Sequence, residues 1–169
     1  MIVKQTAKVI IWVGILTALL ACSRNPDRIL EDMMNADGMD EFNAYATEAR
    51  ELDSDSIPLF LTVLNTNLDD RYSVFSYGKI GVCLSNLHDL AINGSYSIEE
   101  VPVLLRAMRE QPAIGDTAIT AELLRLISKI DVGYDEQFIA NYEPKDEPKR
   151  LEMISVWENW YNQQNSKDN

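Results

Sequence analysis

Ile57-Pro58-Leu59-Phe60-Leu61-Thr62-Val63-Leu64 and Val101-Pro102-Val103-Leu104-Leu105-Arg106-Ala107-Met108 are the two stretches that decide the fold. They align at an offset of 44 (101 against 57), with a proline at the second position of each. Proline is tolerated in a first helical turn, where its missing N–H has no partner to lose. Each stretch therefore predicts the start of a helix. Capping residues precede both: Asp53-Ser54-Asp55-Ser56 before the first, and Ser97-x-x-Glu100, the pattern of a capping box, before the second. A helix starting at Ser97 would place Pro102 at the edge of its tolerated range, so a later start is also open. The following segments align too. Ile80, Leu84, Ser85 and Leu87 match Leu123, Ile127, Ser128 and Ile130 at an offset of 43 (123 against 80). The unit is helix, turn, helix, and it occurs twice.

The flanks carry the same spacing. Ile29, Leu30, Met33 and Met34 predict a short helix over 28–34, with Asp27 as its cap. Asn35-Ala36-Asp37-Gly38 reads as a turn. Phe42, Tyr45, Ala46, Ala49 and Leu52 predict a helix over 40–52. Tyr72 to Tyr77 alternates, but it reads as the start of a helix ending near Leu87 rather than as a strand. After Gly133 comes a degenerate third unit: a short helix over 135–142, a connector over 143–148 and a longer helix over 149–161. Positions 150, 154, 157 and 161 share one face of that last helix, widened by Leu151 and Trp160. Residues 162–169 read as a polar, fraying tail. The expectation is an all-α domain over 28–161, built as a stack of helical hairpins.

Two helices per repeat of about 40–47 residues is the period of HEAT and armadillo arrays. The apolar-Pro-x-Leu start of each first helix resembles a HEAT-type unit. Trp157-Glu158-Asn159-Trp160-Tyr161 is similar to the Trp-rich final helix of some bacterial HEAT-like proteins. The resemblance implies a HEAT/armadillo-like stack in which each hairpin buries its apolar face on the next. Trp157 and Trp160 would close the end of that stack.

The N-terminus carries an address. Lys4 and Lys8 precede Val9–Leu20 (VIIWVGILTALL), an apolar run too short to span a bilayer, which takes about 20 residues. The order of basic start, short apolar run and small residue is that of a secretory signal. Leu19-Leu20-Ala21-Cys22 resembles the bacterial lipobox. That resemblance implies a signal peptide over 1–21, cleaved between Ala21 and Cys22. It also implies a diacylglyceryl thioether on the Cys22 thiol and an acyl group such as palmitate on its new amino group. Two or more chains hold a protein stably in a bilayer. Residues 22–27 would then be the lipidated cysteine and a short tether. In families with a sorting rule, Ser23 beside the cysteine implies the outer membrane, facing the periplasm.

Charge narrows the partners. The 169 residues hold 15 Lys plus Arg against 27 Asp plus Glu, a net charge of −12. Loss of Lys4 and Lys8 with the leader takes the 15 basic residues to 13 and the net charge to −14. Binding of nucleic acid by phosphate neutralisation is excluded, because it needs a basic patch. Anionic lipid would repel such a chain, so the acyl chains must hold it to the bilayer. Two cysteines and one histidine supply neither a disulfide scaffold nor a Cys- or His-based metal site, and no cofactor is expected. Cys83, in the apolar Ile80–Leu84, reads as a buried thiol.

Candidate chemistry is sparse. No Gly-x-Ser-x-Gly elbow, phosphate loop, dinucleotide fingerprint or zincin motif occurs. His88 reads as a residue of a last helical turn, where it favours the carbonyl end of the dipole. Asp53-Ser54-Asp55-Ser56 begins like a calcium loop but lacks the later ligands. Asp53, Asp55, Asp69 and Asp70 on one rim would give at most a weak cation site. What remains is a surface, the face lined by the second helices of the hairpins. It includes Tyr72, Tyr77, Lys79, Glu122, Arg125 and Lys129, with Asn86, Trp160 and Tyr161 nearby. Mixed charge with aromatics suits protein binding. The expected function is a non-catalytic, membrane-tethered binding or scaffolding module of the cell envelope, with a protein partner. One specific form is an immunity lipoprotein neutralising a basic, periplasm-acting toxin. The contrasting class is an envelope hydrolase using His88 and the acidic rim.

Overall fold

The computed structural model describes residues 25–70, 73–110 and 115–166. Among the described residues there are eight α-helices, three 3₁₀ turns and no strand, so the protein is all-α. The helices are α1 Pro26–Asn35, α2 Met39–Arg50, α3 Ile57–Leu68, α4 Val74–Ile92, α5 Val101–Glu110, α6 Gly115–Ser128, α7 Glu136–Ala140 and α8 Glu147–Asn165.

Local chemistry sets the boundaries. α1 opens with Pro26, and the Asn25 side chain accepts the Asp27 amide at 3.0 Å. The cap is thus Asn25 rather than Asp27, and the helix starts inside the segment expected to be tether. The reason is that proline suits the first position of a helix better than it suits a linker. α3 begins at Ile57 with Pro58 in its first turn, after the 3₁₀ turn Asp53–Ser56. The Ser97–Glu100 capping box belongs to a separate 3₁₀ turn, Ile98–Glu100, and α5 follows at Val101. Pro102 therefore sits in a first turn after all. Two helices run further than expected. α4 continues past Leu87 to Ile92, because Leu90 and Ala91 extend the buried stripe. α8 continues through Asn162 to Asn165, so the polar tail is helical for one more turn.

The hairpins pack in two rows. α1, α3 and α5 follow one another in one row, and α2, α4 and α6 in the other. Within each hairpin the two helices also meet: α1 with α2, α3 with α4, α5 with α6. α8 closes the array against α5 and α6. The core between the rows is built from Phe42, Phe60, Leu64, Leu68, Ile80, Leu84, Leu104 and Met108, all fully buried. Trp157 and Ile154 carry it into α8. Burial of each such side chain contributes about 1.5–3 kcal/mol.

The carboxyl end of each first-row helix receives a cation from a later helix. Lys79 Nζ on α4 donates to the Met33 and Met34 carbonyls of α1 at 3.2 and 3.4 Å. Arg106 on α5 donates to the Asn65 carbonyl of α3 at 3.1 Å and pairs with Asp69 just beyond it. Arg150 on α8 donates to the Met108 and Arg109 carbonyls of α5. The last carbonyls of a helix have no partner within it, so these cations satisfy groups that packing takes from water.

Candidate functional site

The outer face of the second row carries a chain of ion pairs. Arg50 at the end of α2 meets Asp89 of α4 at 2.7 Å. Next to it, His88 Nε2 lies 3.1 Å from Glu122 Oε2 on α6. Arg125 Nη2, one turn further along α6, contacts the other Glu122 oxygen at 3.2 Å. Beyond Arg125 the face opens into a cleft of about 430 Å³ between α6, the link that follows it and α8. Its polar groups are Glu122, Arg125, Asp131 and Asp135, and its rings are Tyr134 and Trp157.

The two rings are held from behind. Trp157 Nε1–H donates to the Ile130 carbonyl at 3.1 Å, and the Tyr134 hydroxyl reaches Thr117 Oγ1 at 3.4 Å. Their polar handles are engaged in the fold, and the rings serve as walls. Asp131 and Asp135 each commit one oxygen locally. Asp131 Oδ1 accepts from the Gly133 amide at 2.8 Å, in a turn where Gly133 has φ +74°. Asp135 Oδ1 caps α7 by accepting from the Phe138 amide at 2.8 Å. The arrangement offers paired charges of both signs with an acidic excess around an aromatic wall. Such a lining is suited to ionic recognition of a partner's basic side chains.

The residues expected on the binding face are dispersed. Glu122 and Arg125 line the cleft together. Tyr77 is half-buried near the start of α4, away from it. Tyr72 lies outside the described residues, as do Ala21 and Cys22. Lys79 is corrected: only 4% exposed, it is part of the core. Its ammonium faces the end of α1 and stands over the Phe75 and Phe42 rings at 4.4 and 5.1 Å, and desolvation lowers its pKa. Lys129 is exposed. It follows the end of α6 in the left-handed region, φ +62°, and its Nζ stands 5.1 Å from the centroid of the Tyr96 ring. The helix stops at Ser128 because the Ser128 hydroxyl takes the Ile130 amide at 3.1 Å. Trp160 and Tyr161 pack partly buried against the core.

His88 does not occupy a last turn, since α4 runs on to Ile92. Its neighbour is the Glu122 carboxylate. Nε2 is shut off from solvent, at ion-pair distance but without hydrogen-bond alignment. The acidic rim is dispersed as well. Asp69 pairs with Arg106, Asp70 accepts from the Ser76 hydroxyl at 3.1 Å, and Asp53 adopts φ +50° in its 3₁₀ turn. Among the described residues no three His, Cys, Asp or Glu side chains converge as metal ligands would. Cys83 is fully buried, and burial pushes its thiol pKa far up.

Asp131, Tyr134 and Asp135 were not expected at a site. Their signal in the sequence is modest: an Asp-x-Gly turn and a capping Asp straight after an apolar helix. No protein family, curated protein or solved structure matches this chain.

Proposed function

We propose that this chain is a bacterial envelope lipoprotein whose HEAT-like helical stack is a non-catalytic protein-binding module. It is cleaved before Cys22, acylated there and held at the outer membrane, facing the periplasm. The observation that carries the reading is Leu19-Leu20-Ala21-Cys22, set directly behind Lys4, Lys8 and the apolar run Val9–Leu20. A small Ala21 fits a peptidase site, and only a thiol at Cys22 can form the thioether. Helical order from Pro26, four residues after Cys22, is compatible with a folded domain held close to its anchor. Among the described residues no helix is long and apolar enough to cross a membrane.

The binding surface in this reading is the second-row face, from the Arg50–Asp89 pair through His88, Glu122 and Arg125 to the cleft. A mature charge of −14, from 13 basic and 27 acidic residues, favours a basic partner. An immunity lipoprotein facing a basic toxin would have this charge relation. Two measurements test the proposal. Cys22→Ser should move the protein from the membrane fraction to the soluble one. A photo-crosslinker at Ser85, exposed on α4, should capture one basic envelope partner. Asp131→Lys with Asp135→Lys should abolish that capture. A partner captured equally by the charge-reversed protein would contradict the assigned face.

A further inference from the structure

We propose that one end of the helical stack lies on the bilayer, with Ile92, Tyr96 and Ile98 in the headgroup region of a zwitterionic lipid surface. The inference rests on the lipid anchor at Cys22. It adds to that anchor an orientation and a second, non-covalent contact.

The geometry starts from which helix ends lie together. Lys79, in the second turn of α4, reaches the Met33 and Met34 carbonyls at the end of α1. A Cβ on Gly78 would meet Met39 Sδ, at the start of α2, at 2.8 Å. The α1–α2 turn and the start of α4 therefore share one end of the molecule. The opposite end is marked by Arg50, which closes α2 and meets Asp89 near the close of α4. It is marked again by Lys129, just after α6, over Tyr96, just after α4. A hairpin with a turn as short as Ala36–Gly38 is antiparallel, so Pro26 begins α1 at this second end. The chain coming from Cys22 thus joins the domain at the end that carries the links between hairpins.

The tether allows little separation. Four residue steps from Cys22 to Pro26 span at most about 14 Å when fully extended. An anchored Cys22 therefore keeps this end within that distance of the interface. The α4–α5 link there exposes large apolar side chains, Ile92 at 61%, Ile98 at 40% and Tyr96 at 39%. Tyr96 with Lys129 above its ring is the combination of amphipathic ring and long cationic side chain that settles at headgroup level. The links at this end also carry Asp53, Asp55 and Glu99. These carboxylates select a zwitterionic surface over an anionic one. Three partly exposed side chains would hold a free domain only weakly. A tether raises the local concentration enough for such a contact to form.

Hydrogen–deuterium exchange on the full-length protein, purified from membranes and reconstituted in phosphatidylcholine vesicles, tests this. Exchange at residues 93–98 should slow by roughly tenfold relative to the unanchored Cys22→Ser protein mixed with the same vesicles. Residues 35–38, at the opposite end, should be unchanged. The protection should weaken in vesicles rich in phosphatidylglycerol. The double variant Ile92→Ser with Ile98→Ser should stay anchored and helical by circular dichroism while losing the protection. Unchanged exchange at 93–98 in acylated protein, or protection persisting in the double variant, would overturn the docking and leave the anchor standing. An intact mass without acyl groups on Cys22 would overturn anchor and docking together.

Discussion

Glu100 shows how burial sets the behaviour of a single residue. Its carboxylate is 1% exposed and accepts the Ser97 amide at 2.5 Å inside the capping box. Desolvation outweighs that bond and pushes the pKa up from 4.5 to about 7. The folded state therefore holds a proton that the unfolded chain releases between those values. Stability is fully present below pH 4.5 and falls as pH rises through 7, by on the order of 3 kcal/mol. Urea melts at pH 5 and pH 8 should show most of this loss, and Glu100→Gln should flatten it. A second residue prediction concerns Lys129, which holds φ +62° without being glycine. A left-handed backbone costs an L side chain about 1 kcal/mol. Lys129→Gly should therefore raise stability by up to about 1 kcal/mol, read as a rise in Tm of about 2–4 °C. Lys79, expected on the binding face, lies in the core. It stands four positions before Cys83 on the buried stripe of α4, so its place was visible in the spacing. Its lysine chemistry pointed outward instead. What turns it inward is a need at another helix, the unpaired carbonyls of α1, which local sequence does not display.

At the scale of elements, the sequence repeat and the helix-end cations share one length. Lys79 lies 46 residues after Met33, Arg106 41 after Asn65, and Arg150 42 after Met108. Each cation comes about one period after the carbonyl it satisfies, so it reports how one hairpin seats on the previous one. The three differ in burial, and their contributions should differ accordingly. Arg150 is 2% exposed and bidentate with Glu147, at 2.6 and 2.7 Å. Arg150→Met should cost about 2–4 kcal/mol, because it leaves buried carbonyls unpaired. Arg106 is more open, and its partner Asp69 is mostly exposed, so Arg106→Met should cost under about 1 kcal/mol. Equal losses in chemical denaturation would contradict this ordering. The pairing of helices was legible because Pro58 and Pro102 fix two first turns and the apolar spacing fixes the faces. Helix ends were less legible. The spacing predicts an end near Leu87, yet Leu90 and Ala91 find apolar contacts that carry α4 on to Ile92. The cleft was legible only in Glu122 and Arg125, because its other wall comes from a link whose path depends on where α8 packs.

For the whole molecule, the fold and the address do separate work. The helical stack supplies a charged face ending in an acidic, aromatic cleft, and the proposed N-terminal signal would supply a place to display it. Under the proposed anchor, acidity and tethering fit together: a domain of this charge would gain nothing from an anionic surface and would depend on acyl chains at Cys22. The most direct measurement is metabolic labelling of cells with radiolabelled palmitate, followed by isolation of the protein. The label should appear in the wild-type chain and vanish in Cys22→Ala. An unlabelled wild-type protein, or label that survives the loss of Cys22, would contradict the account.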